Sequence, residues 1–233
     1  MSTQETLAAL TADDRSRAPT TNQVRSDRWA PLAGVLFTVA FAVGFLSAGN
    51  TPDVDASGPE VIAHYDDAGS ILAAVVAAPF AAVGLLVFAG VLRHRLRAKG
   101  PEWLATVAYG GAVVYAAGLG VFATTRLALL DAADLGQPEV AQALNIVDSD
   151  NFMPAALGLA VTLLATGWHA VTSRSLPRWH GRVTLALGVL AVAGPAAFIA
   201  FLLFPVWVLV TAAVLLRQHP DTTTTTTPTE VSP

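Results

Sequence analysis

The stretch VTLALGVLAVAGPAAFIAFLLFPVWVLVTAAVLL, from Val183 to Leu216, contains no charged side chain. As a single helix rising 1.5 Å per residue it would measure about 51 Å, well beyond the ~30 Å hydrocarbon core of a bilayer. Two crossings are therefore expected, divided at Ala193-Gly194-Pro195. Glycine ends helices, and proline begins them because the first turn leaves its missing N–H unpaired anyway. The fifth span is expected over Pro177 to Ala193 and the sixth over Pro195 to Leu216.

Working outward, four more blocks lack charge and are long enough to cross: Trp29 to Ala48, Ser70 to Leu92, Trp103 to Thr125 and Phe152 to Val171. Prolines 31, 101 and 154 stand at the heads of three of them, whereas Pro79 and Pro205 fall inside spans two and six. Composition agrees: 54% of residues are hydrophobic and 13% charged, against about 25% charged in soluble domains. The expected fold is all-α, a polytopic membrane bundle of about six transmembrane helices with two short helices on its outer surface. With no cysteine in the chain, disulfides, thiolate metal sites and thiol nucleophiles are all excluded.

Charge distribution sets the expected orientation. Arg15, Arg17, Arg25 and Arg28 precede span one; Arg93, Arg95, Arg97 and Lys99 follow span two; Arg174, Arg178 and Arg182 follow span four. The loops 49–69 and 126–151 hold ten acidic residues and the single cation Arg126. By the positive-inside rule the basic loops and both termini are cytoplasmic, and the protein belongs to an inner (plasma) membrane. Trp29, Trp103 and Trp179 are placed as interfacial anchors. Residues 1–28 and the Thr-rich 218–233 are expected to be disordered cytoplasmic tails flanking the transmembrane domain 29–217.

In the first acidic loop Ser57 and Glu60 have capping-box spacing, with Pro59 in the first turn of a short helix. Pro138-Glu139-Val140 repeats the device 79 residues after Pro59-Glu60-Val61, leading into Ala141 to Leu144, whose apolar residues are expected to face the membrane. Arg126, at the wrong end for a cation, is expected to form a structural ion pair with Asp131, Asp134, Asp66 or Asp67. His64, Tyr65, Asp66 and Asp67, joined by Asp131 and Asp134, offer oxygen-rich chemistry for a divalent cation; a solvated acidic surface is the preferred reading.

The chain resembles a family of uncharacterised six-helix integral membrane proteins of actinobacteria and related bacteria, a domain of unknown function. Glu60 to Asp67, Leu92 to Arg97, Ala143-Leu144-Asn145 and Leu163 to Gly167 carry the resemblance. Its most specific part is Leu176-Pro177-Arg178-Trp179-His180-Gly181, where members commonly have leucine at the position of His180. The resemblance implies topology and transfers no activity.

No P-loop, H-x-x-x-H, G-x-S-x-G or paired intramembrane carboxylates are present, so no enzyme activity, cofactor, metal or nucleic-acid partner is expected. Membrane lipids are the expected surroundings. Small residues at Ala40, Gly44 and Ala48, and at Gly158, Thr162, Thr166 and Ala170, form close-packing seams, either within the bundle or toward a second protomer or partner membrane protein. The expected role is an accessory or structural component of the envelope that binds a lipid, small molecule or partner helix. The alternative is a small-molecule transporter or channel.

Overall fold

The computed structural model describes residues 29–49, 51–66 and 68–217. Both tails, Asp67 and the Trp29 side chain lie outside the described residues. The fold is an all-α bundle. Its helices are α1 (Trp29–Ala48), α2 (Gly58–Tyr65), α3 (Ala68–Arg97), α4 (Glu102–Asp134), α5 (Pro138–Asp150), α6 (Phe152–Ser173), α7 (Arg178–Ala191) and α8 (Ala197–Arg217), with a 3-10 turn at Gly194–Ala196 before α8. No strand occurs among the described residues.

Five segments are long and apolar enough to cross a membrane, corresponding to α1, α3, α4, the α5–α6 run and the turn with α8. Each long helix packs on its neighbours in sequence, and α8 closes the ring against α1. Outside, the bundle is apolar: Leu32, Phe80, Leu157 and Val206 are each more than half exposed. That distribution suits lipid as the surrounding solvent. Glycines let the backbones approach: a Cβ at Gly84 would lie 2.7 Å from the Phe37 nitrogen, and one at Gly158 would lie 2.3 Å from that of Tyr115. Gly158, Thr162, Thr166 and Ala170 are all buried inside the bundle, so this seam serves intramolecular packing.

The Val183 to Leu216 block is a hairpin. Gly194, at φ 61°, takes the left-handed conformation that the turn demands. His180 pairs with Thr211 and Thr184 with Trp207, matching early residues of α7 with late residues of α8. At 14 residues α7 is the shortest member of the ring and is not among the five segments long and apolar enough to cross, so five candidate spans stand where six are expected; Gly181 and Gly188 seat it against α6. Both α3 and α8 continue as helices through Pro79 and Pro205.

A buried polar network fastens this hairpin. His180 Nε2 lies 3.0 Å from Thr211 Oγ1, and Trp207 Nε1 donates to Thr184 Oγ1 at 2.9 Å. His180 therefore has partners that a leucine would not use. Removing one partner leaves a buried polar atom unsatisfied, so Thr211→Val should cost about 1–3 kcal/mol. The double replacement His180→Leu with Thr211→Val removes both ends and should recover most of that loss, measured by thermal unfolding in detergent.

Helix α4 has 33 residues and continues past the expected boundary at Thr125 as far as Asp134. Its extension is held by α2 and α5, which bury Val61, Tyr65, Leu129, Ala132 and Ala141 together. Glu60 accepts hydrogen bonds from the Ser57 amide and hydroxyl at 2.8 and 2.9 Å, fixing the start of α2. The α2 and α5 N-termini meet closely, since a Cβ at Gly58 would strike the Pro138 carbonyl. The acidic loops thus fold into a helical cap at one end of the bundle, with the basic loops at the other. Of the residues expected to face the membrane, Ala141 is instead buried in this cap, whereas Ala143 is exposed and Leu144 half-buried; Val140, Ile146 and Val147 are exposed as well. Helix α5 turns Ala141, Asn145 and Asp148 inward, where the α4 extension and the first acidic loop meet them. At the basic end Trp103, Trp168 and Trp179 are each more than half exposed.

Candidate functional site

Beneath the cap, a cleft of about 540 Å³ opens between α1, α3, α4, α6 and α8. Its size falls within the ~300–1,000 Å³ common for small-molecule sites. Small side chains make the room: Ala40 and Gly44 on α1, Ala74 and Ala78 on α3, Gly118 on α4 and Ala155 on α6. Phe41, Phe122, Phe152 and Phe201 supply aromatic walls. Phe45, Leu46 and Phe198 stand on its rim and are exposed, so the cleft meets the apolar exterior of the bundle.

Arg126 and Asp148 border this cleft and form an ion pair, Nη2 to Oδ2, at 3.0 Å, with side chains only 3% and 2% exposed. The partner is thus Asp148 on α5, and not one of the four carboxylates expected. Asp131 and Asp134 project from exposed positions on the α4 extension, Asp66 is exposed beyond α2, and Asp67 lies outside the described residues. Arg126 instead points into the bundle, where α5 crosses over it. Its Nη2 also donates to Thr51 Oγ1 at 3.0 Å, and the guanidinium lies 4.8 Å from the Phe122 ring centroid and 5.9 Å from that of Tyr65. Such a buried charge persists only with a paired and hydrogen-bonded environment. Of the pair's own atoms, Arg126 Nε and Asp148 Oδ1 have no hydrogen-bond partner among the described residues, and neither do Tyr65 Oη and Asn145 Oδ1 in the cap beside them.

The same face of α5, continued to the residue that caps its C-terminus, carries the groups that hold it there. Asn145 donates to the Asp53 carbonyl and Asn151 to Thr125 Oγ1, each at 2.9 Å. Asn145, Asp148 and Asn151 recur at three-residue spacing, which places them on one side of a helix. This polar stripe was the available sequence signal for the partner of Arg126.

Among the described residues no three His, Asp or Glu side chains come together as a metal-ligand set. Tyr65 is buried in the cap, and burial pushes its phenol up to about 12, so it stays neutral. Burial, reinforced by the charge of Arg126, holds His64 below its ordinary 6.5. A base with a depressed folded value favours the folded state above its unfolded pKa, and this preference is lost as pH falls through the folded value. Acidification below pH 6.5 should therefore loosen the cap, seen as lower amide protection factors in α2 and α5 after correction for the intrinsic exchange rate at each pH. His64→Gln should flatten that dependence down to the carboxylate range, where protonation of Glu60, held below 4.5 by Ser57, takes over.

The interior beneath the cleft is filled by rings. Phe37, Tyr115 and Phe204 are fully buried with centroids 5.1–6.2 Å apart, and Trp207 stacks on Phe204 at 5.5 Å toward the basic end. The cleft thus has an aromatic floor. Comparison of the chain with family models, curated proteins and solved structures yields no match.

Proposed function

We propose that this chain is a non-enzymatic, multi-pass protein of the plasma (inner) membrane that holds a lipid-like amphiphile in the cleft beneath its cap. The observation that carries this reading is a cleft with apolar walls, an exposed aromatic rim and one buried charge pair at its border. Apolar walls suit an acyl chain, and convergent polar groups suit a headgroup. A role in the envelope as a lipid-binding accessory component follows. The aromatic floor weighs against a small-molecule transporter or channel, which needs a polar path onward to the other end.

A Cβ at Gly44 would meet Ala77 and the Ala74 carbonyl at 3.6 and 3.7 Å, ordinary contact distances. The Cβ of a leucine at Gly44 is therefore accommodated, and the rest of its side chain, at a position lining the cleft, should take up cleft volume, with thermal unfolding checking that the fold is kept. Full-length protein extracted in mild detergent should retain lipid by native mass spectrometry, and Gly44→Leu should retain severalfold less. Equal retention by the two would overturn the reading.

Positive-inside logic places the cap outside the cell and the basic end, with both termini, in the cytoplasm. Because the chain has no cysteine, single replacements report cleanly. Asp55→Cys and Lys99→Cys both fall at exposed positions. In intact cells an impermeant thiol reagent should label the first and spare the second; the reverse pattern would invert the topology.

A further inference from the structure

We infer that the cleft selects a zwitterionic phospholipid headgroup bearing a primary ammonium, of the phosphoethanolamine type. This rests on the cleft being an amphiphile site, and it adds which headgroup is taken.

The charge balance of the site comes first. Arg126 and Asp148 are both buried and cancel one another at 3.0 Å. An anionic headgroup would bring one uncompensated negative charge to a site of low dielectric, and such charges are costly away from water. A zwitterion leaves the balance at zero.

Hydrogen bonding narrows the choice further. Arg126 Nε is a donor without an acceptor, and Asp148 Oδ1 an acceptor without a donor. A phosphate oxygen answers the first and an ammonium N–H the second, as charge-assisted bonds. A quaternary ammonium has no N–H and leaves Asp148 Oδ1 unanswered. Both atoms are closed to solvent while the pair is intact, so binding exchanges partners. The phosphate takes the guanidinium and the ammonium takes the carboxylate, and two opposite-charge contacts replace one. The rings of Phe122 and Tyr65 beside Arg126 keep the cation favourably placed throughout the exchange.

The cleft volume suits a headgroup and the upper part of a chain. The remaining chain leaves past Phe45, Leu46 and Phe198, which are already exposed on the rim. This commits the ligand to a chain-bearing lipid of the surrounding membrane.

The test uses the full chain in detergent and three lipids with identical acyl chains and phosphoethanolamine, phosphocholine or phosphoglycerol headgroups, followed by native mass spectrometry. Free phosphoethanolamine without chains is a fourth probe. Each charge-assisted bond of the ammonium or phosphate is worth roughly ten- to hundredfold in affinity, so the ethanolamine lipid should bind at least about tenfold more tightly than the other two. Asp148→Asn leaves the site with one net positive charge and should move the preference to the phosphoglycerol lipid. Arg126→Gln removes the phosphate's partner and should weaken all three, the phosphoglycerol lipid most, because Asp148 then stands without its compensating cation. If a variant fails to fold, the headgroup series on the unaltered protein decides by itself. Equal affinity for the three lipids, with binding still lost in Gly44→Leu, would overturn headgroup selection and leave the cleft reading standing. Binding unaffected by Gly44→Leu would overturn both. Free phosphoethanolamine binding as tightly as the lipid would overturn the assignment to a membrane lipid.

Discussion

Replacing Arg126 with alanine is expected to lower the melting temperature in detergent by roughly 10 °C, as a loss of about 3–5 kcal/mol implies for a domain of this size. The loss arises from what is left behind. Asp148, with a side chain 2% exposed, would be left buried in the bundle without the guanidinium at 3.0 Å. Thr51 and the ring of Phe122 would lose their partner at the same time. Asp148→Ala in that background should cost little more, or restore part of the loss, because residues in direct contact are not additive. Replacing both by apolar residues, Arg126→Met with Asp148→Leu, should give a protein near the original stability, since a buried pair is often worth no more than well-packed hydrophobic residues. Simple additivity of the two alanine variants would show that the pair contributes nothing as a pair.

A comparable loss is expected from Gly158→Ala, a change of one methyl group. Its Cβ would lie 2.3 Å from the Tyr115 nitrogen and 2.7 Å from the Gly111 carbonyl oxygen, both backbone atoms that cannot rotate aside. Helices α4 and α6 would have to separate along their close crossing, disturbing Leu159 and Leu163 in the buried core. Overpacking of this kind costs about 1–3 kcal/mol and more where backbone must shift. Gly110→Ala and Gly120→Ala on α4 are the internal controls, because nothing lies within 4 Å of a Cβ at either position. In helix interiors alanine is better than glycine by roughly 0.5–1 kcal/mol, so those variants should be neutral or slightly stabilised. Thermal unfolding and the monodispersity of the purified protein measure both effects. A silent Gly158→Ala would mean that α4 and α6 do not cross as closely as their backbones indicate.

Sequence alone determined the features that depend on local apolarity and charge. The charge-free blocks gave the helices, and the length of Val183 to Leu216 with Gly194-Pro195 gave the hairpin. The acidic and basic loops fell correctly at opposite ends of the bundle. Arg126 was legible as the one anomalous cation, since a lone arginine among ten acids needs no structure to be noticed. Its partner was not legible, because nearness in sequence favoured Asp131 and Asp134, and those side chains leave the helix on its exposed side. Asp148 reaches the guanidinium only because α5 folds back over the α4 extension, held by Asn145 and Asn151 at contacts distant in the chain. The cleft likewise has no sequence signature. Gly44 read only as a close-packing residue, Gly118 and Ala155 carried no signal of their own, and whether small side chains seal a seam or leave a cavity depends on how the aromatic rings of α1, α4, α6 and α8 pack around them. Hydropathy and helix signals are properties of a few turns of chain; a void and a buried ion pair are properties of the whole ring of helices, set when α8 closes against α1.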